Sequence, residues 1–166
     1  MGEIIKDSLY YAKILLFGEY GIIENSMGLS IPYHFFKGNF DFASEPNEVQ
    51  KDSNESIKQY VSHLESLRNA GDLPCAIDFV QLHSDINSGL YFDSSIPQGF
   101  GVGSSGALVA ALYAKYSVSP LNQSDVMVGD NLKKLKSTLA TLESFFHGKS
   151  SGLDPLICYL NLPILI

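Results

Sequence analysis

Three short stretches carry the side chains that could do chemistry. The first runs from Pro97 to Ala107, PQGFGVGSSGA, with glycine at every second position and two adjacent serines before a run of small apolar residues. Backbone N–H groups in such a loop, with the positive end of a helix beginning at Ser104, can wrap an anion, because no side chain holds a phosphate away. The second is AKILLFGEYG, where Lys13 stands alone in an apolar strand with Glu19 just beyond it. A buried ammonium needs an anionic partner or an open cleft. In the third, ESFFHGKSSGLDP, Glu143 and Asp154 flank a glycine-serine turn and can converge from two directions, one holding Mg²⁺ and the other taking a proton from a hydroxyl.

Each stretch also has a plainer reading. The loop fits an ordinary glycine-rich turn with Ser104 as a helix N-cap. Lys13 and Glu19 fit an edge-strand lysine and an exposed turn carboxylate. His147 fits a turn or capping histidine, and Gly148, Ser150, Ser151 and Gly152 fit residues that shape a turn. Gly101-Val-Gly103-Ser-Ser-Gly106 matches the dinucleotide fingerprint literally, but no following strand ends in an acidic residue about twenty positions on. A Walker loop is excluded, since no Lys-Ser/Thr follows the glycines.

The elements that must position these stretches are readable from periodicity. Residues 9–17 are near-continuously apolar and β-prone, and GIIEN, LSIPYHFF and NFDFAS supply further short strands. The polar segment 45–56 reads as a surface loop, followed by a helix from Ser56 to Ala70 that Gly71 ends. Alternation over 75–86 and 89–95, joined by Asn87-Ser-Gly89, predicts a hairpin. Ser104 to Tyr116 predicts an alanine-rich helix lying close to a sheet. Ser124 is placed to cap a helical stretch broken near Gly129 and ending at Phe146, and residues 153–160 predict a short helix. The terminal NLPILI is β-prone. The fold class is therefore α+β, a mixed or antiparallel sheet with helices packed on it.

The chain has 166 residues, 45% hydrophobic and 17% charged, enough for one domain with a core. Its formal charge of −7 repels a polyphosphate backbone, which argues against nucleic acid, while leaving room for a small phosphate ligand met locally. Cys75 and Cys158 lack metal-ligand spacing and read as free thiols in a reducing compartment. No secretory signal, acylation signal or membrane span is legible, so the expected address is the cytoplasm.

Taken in order, the three stretches resemble the GHMP kinases. PQGFGVGSSGA is similar to that family's P-x-G-x-G-L-G-S-S-A loop, with Val102 for Leu and Gly106 for the first alanine. KILLFGEYGII resembles the K-x-x-L-x-G-E-H-x-V motif in its mevalonate kinase form, with Tyr20 for His. FHGKSSGLDP resembles F-H-G-x-P-S-G-x-D, with Ser150 for Pro. The resemblance covers most of residues 9–158, and mevalonate kinase is the nearest pattern within the family. It implies the N-terminal lobe fold shared with ribosomal protein S5 domain 2, and ATP- and Mg²⁺-dependent phosphorylation of a small hydroxyl substrate, first of all mevalonate. Another acceptor of the family, or a non-catalytic lobe that binds nucleotide or dimerises, are the alternatives.

By the same resemblance Asp154 is the general base and Lys13 stabilises the developing alkoxide. Gly99, Gly101, Gly103, Ser104 and Gly106 line the phosphates, Ser94 touches the nucleotide, and Ser105 and Glu143 ligate Mg²⁺. Glu19, Tyr20 and His147 face the substrate. The glycine-rich third motif of the family's C-terminal lobe is absent from these 166 residues. The expectation is an N-terminal lobe spanning 1–166, weak or inactive alone, with homodimerisation a candidate use of the uncovered surface.

Overall fold

The structure, a computed structural model, describes residues 8–17 and 28–165. Among the described residues, four antiparallel strands form one sheet: β1 (Tyr10–Phe17), β2 (Leu29–Phe42), β3 (Leu90–Ser94) and β4 (Ile164–Leu165). β2 is central. It pairs along one side with β1 and on the other with β3 near its C-terminal end and β4 near its N-terminal end. Among the described residues there are six helices: α1 (Glu48–Ala70), α2 (Phe79–Asn87), α3 (Ser104–Tyr116), α4 (Gln123–Val126), α5 (Asn131–His147) and α6 (Leu153–Leu160). The α+β class with an antiparallel sheet is as the sequence implied.

α3 is the hinge of the packing. Ala107, Val109, Ala110, Ala111 and Leu112 are all buried, and their small volumes let the helix lie against β1 and β2 on one side and α5 and α6 on the other. The limits Ser104 and Tyr116 match the sequence expectation. α6 also matches, and its Leu156, Ile157, Cys158 and Leu160 are buried. The break near Gly129 separates α4 from α5, although the cap is Asn122, which accepts from the Asp125 amide at 2.9 Å, and not Ser124. The terminal β-prone segment pairs with β2 as β4.

Three sequence expectations are corrected. The segment 75–86 is not a strand: its usable period is that of a helix, with Phe79, Leu82 and Ile86 buried and Val80 exposed, and Asp78 caps α2 by accepting from the Gln81 amide. Only β3 survives from the predicted hairpin. The polar segment 45–56 is not a loop beyond Asn47, because a reciprocal Asn47–Gln50 capping box starts α1 at Glu48. Part of its polarity serves the fold, since Ser53 and Asn54 in its first turns hydrogen-bond to the backbone of Phe92, Ile86 and Leu90. LSIPYHFF and NFDFAS are one continuous strand through Gly38. The strand expected at GIIEN lies outside the described residues.

Candidate functional site

Four elements meet at the start of α3. β1 supplies Lys13, whose backbone N–H donates to Val102 O at 2.9 Å and so ties the glycine loop to the sheet. The loop ends at Gly103, which is the N-cap of α3 in the left-handed conformation (φ 84°) with no side-chain capping bond. Ser104 is thus the first helical residue and not the cap. A Cβ on Gly103 would lie 2.9 Å from Lys13 Cγ, so both the backbone angle and the passing lysine require glycine. Among the described residues, the amides of Gly103, Ser104, Ser105 and Gly106 have no hydrogen-bond partner. Unpaired donors at a helix start are what an anion needs.

α6 brings Asp154 to the same place. Its Oδ1 is 2.9 Å from Lys13 Nζ, with the lysine side chain 12% exposed and the aspartate 35%. The close approach depends on Gly106: a Cβ there would lie 2.8 Å from the Asp154 carbonyl carbon and 2.9 Å from Pro155 N. Gly103 and Gly106 therefore act as spacers toward Lys13 and α6. Beneath them Cys158 is buried, with its thiol pushed well above the ordinary range by burial; Cys75 is half-buried, and both cysteines are free.

On the other side of the loop lies a cavity of about 740 Å³. Ser94, Gly99, Ser104, Ser105 and His147 are on its wall, with Gln50 and Ser53 from α1 opposite. Ser94 also accepts from the Ile96 amide, shaping the chain where β3 ends. Gly101, Gly103 and Gly106 are not among the lining residues. Neither are Lys13 and Asp154, which stand outside the cavity.

α5 ends between these two regions. Glu143 and His147 are one helical turn apart, and both reach Ser105: its Oγ is 3.2 Å from Glu143 Oε1 and 3.1 Å from His147 Nε2. Glu143 is 2% exposed. Burial raises its pKa above the ordinary 4.5 against the pull of Ser150, and the Asp154 charge adds to the rise while His147 and Ser105 oppose it. The Ser150 hydroxyl donates to its second oxygen, Oε2.

The structure thus brings Lys13, Asp154, Ser104, Ser105, Glu143 and His147 around one helix start, with Ser94 and Gly99 on the adjoining cavity. Glu19 and Tyr20 lie outside the described residues. Two contributors escaped the sequence reading. The N-terminal half of α1 forms a cavity wall, and the N-x-x-Q spacing of Asn47 and Gln50 was the signal that could have placed it. Ser150 reads as a turn residue because nothing local reveals a partner on α5.

An unpaired helix start flanked by a lysine–aspartate pair and a buried glutamate is an arrangement chemically suited to an anion. Residues 61–161 match the family model described as the GHMP kinases N terminal domain. This is more than half of the chain, which therefore belongs to the GHMP kinase family. No curated protein matches the chain. No helix of the described residues is long and apolar enough to cross a membrane.

Proposed function

We propose that this chain binds Mg-ATP and transfers the γ-phosphoryl group to the hydroxyl of a small acceptor, mevalonate being the first candidate. The nucleotide occupies the cavity beside Ser94 and Gly99, and its phosphates run over the loop to the free amides at Ser104 and Ser105. The acceptor lies at Lys13 and Asp154, with Glu19 and Tyr20 proposed as further acceptor contacts. In transfer, the acceptor oxygen attacks the γ-phosphorus, the bond from that phosphorus to the β–γ bridging oxygen breaks, ADP leaves and the hydroxyl proton passes to Asp154. Lys13 neutralises the charge developing on the oxygen. Most of the rate arises from positioning and charge neutralisation, with proton transfer contributing about 100-fold or more.

The residues present fit a magnesium ion completed by phosphate. Among the described residues no group of three or more His, Cys, Asp or Glu converges, so an all-protein cage is not built. Mg²⁺ characteristically takes one or two protein oxygens plus phosphate and water, and Ser105 with Glu143 offers that set. Bound there, the ion would neutralise phosphate charge. His147, proposed for the substrate, stands beside Ser105 on the cavity wall.

The observation that carries the reading is the Lys13–Asp154 pair at 2.9 Å, held against the first turn of α3 by Gly106. Because the family domain matched is the N-terminal one, weak turnover is proposed for the 166 residues alone. Calorimetric titration with Mg-ATP is the primary test, and absence of binding would end the proposal. A coupled ADP-release assay over mevalonate, phosphomevalonate, homoserine and galactose then ranks the acceptor.

A further inference from the structure

Glu143 is held from two sides. Ser105, from the first turn of α3, occupies Oε1, and Ser150, from the turn between α5 and α6, occupies Oε2. Ser150 is also an acceptor, since the Gly152 amide donates to its Oγ at 3.0 Å. Gly152 is the N-cap of α6, and Asp154 lies in that helix's first turn. One hydroxyl therefore links the buried carboxylate to the start of the helix that carries the aspartate.

We infer that Ser150 is a positioning residue that fixes Glu143 Oε2 and the α6 N-terminus together, so that the cation-facing carboxylate and Asp154 keep one relative placement. This rests on the Mg-ATP reading above. Without the Ser150 hydroxyl, Oε2 of the enclosed Glu143 would lose its donor and the carboxylate its fixed aim at a cation. The hydroxyl does this work without a charge of its own. At the corresponding place the resembled motif carries proline, which offers no hydroxyl donor.

The test compares the full chain with Ser150→Ala, Ser150→Thr and Ser150→Pro. Nucleotide binding is titrated calorimetrically with ATP alone and with Mn²⁺ present, and bound Mn²⁺ is followed by its electron paramagnetic resonance spectrum. Amide exchange at Gly152 and Leu153 is read in the ligand-free protein. Ser150→Ala and Ser150→Pro are expected to lose about fivefold or more of the Mn²⁺-dependent gain in ATP affinity and to broaden the bound-metal spectrum, as supporting residues behind metal ligands do. ATP affinity without metal stays within about twofold, and Ser150→Thr, which keeps the hydroxyl, restores the gain.

An unchanged Mn²⁺-dependent gain in a folded Ser150→Ala protein would overturn the inference while leaving nucleotide binding intact. Loss in Ser150→Thr equal to that in Ser150→Ala would overturn it too, by showing that side-chain volume and not the hydroxyl matters. If the unaltered chain binds no nucleotide, the reading beneath fails. Faster exchange at Gly152 in Ser150→Ala would then mark a purely structural clip, and the positioning role would fall with it.

Discussion

Lys13 Nζ sits 2.9 Å from Asp154 Oδ1, and the same lysine's backbone N–H holds the glycine loop through Val102 O at 2.9 Å. One residue of β1 thus fixes both the aspartate and the loop. Asp154→Asn keeps the size and polarity of the side chain but removes its capacity to take a proton. Phosphotransfer in the coupled assay should fall by about 100-fold or more, while the Kd for Mg-ATP stays within about threefold. Undiminished turnover in this variant would remove Asp154 from the mechanism.

Gly106→Ala sets helix propensity against packing. Alanine in place of glycine favours α3 by up to about 1 kcal/mol, whereas overpacking costs about 1–3 kcal/mol. The neighbours that a Cβ would strike are backbone atoms of Asp154 and Pro155, which cannot swing aside. Packing should win, giving a net loss of about 1–2 kcal/mol in urea unfolding, together with weaker turnover as α6 is pushed from Lys13.

Glu143 is an enclosed carboxylate whose charged form burial disfavours. Glu143→Gln removes that charge and keeps a hydrogen-bonding side chain between Ser105 and Ser150. Thermal unfolding of the ligand-free protein at pH 7 should therefore show stability equal to or above that of the unaltered chain. The Mn²⁺-dependent gain in ATP affinity should drop by about tenfold or more. A destabilised variant with unchanged metal dependence would assign Glu143 to the core instead of the site.

Away from the site, Asp85 is buried between α2 and α3, with Tyr116 Oη donating at 2.7 Å, Gln81 Nε2 at 2.7 Å and Lys115 Nζ at 3.2 Å. Burial alone would raise its pKa, but the hydrogen bonds from Tyr116, Gln81 and Lys115, with the lysine charge, hold it below the ordinary 3.8. The folded state therefore binds this proton less readily than the unfolded chain. Its stabilisation is complete above pH 3.8 and is lost as pH falls through the lower folded value. Asp85→Asn should be less stable at neutral pH and lose less stability on acidification; parallel pH profiles from urea unfolding would contradict this.

Local features carried far in the sequence. Gly103-Ser104-Ser105 at the start of an alanine-rich run located α3 to the residue, and Gly71 stopped α1 in the left-handed conformation expected of it. Such signals work because capping, glycine geometry and period are settled within a few neighbouring residues. Where two periods competed, as in 75–86, alternation misled, since Phe79, Leu82 and Ile86 also fit a helix and the Asp78 cap decided between them.

By itself the sequence determined that the chain carries a glycine-rich loop leading into a helix, a lysine in an apolar strand, two acidic residues around a turn, and enough apolar material for an α+β core. Only the tertiary structure decided that Lys13 meets Asp154, that Gly103 and Gly106 are spacers, and that Ser105 and Ser150 divide the two oxygens of Glu143. Those relations join residues far apart along the chain. They depend on how closely β1, α3, α5 and α6 pack, which is a property of the whole core and of no single stretch.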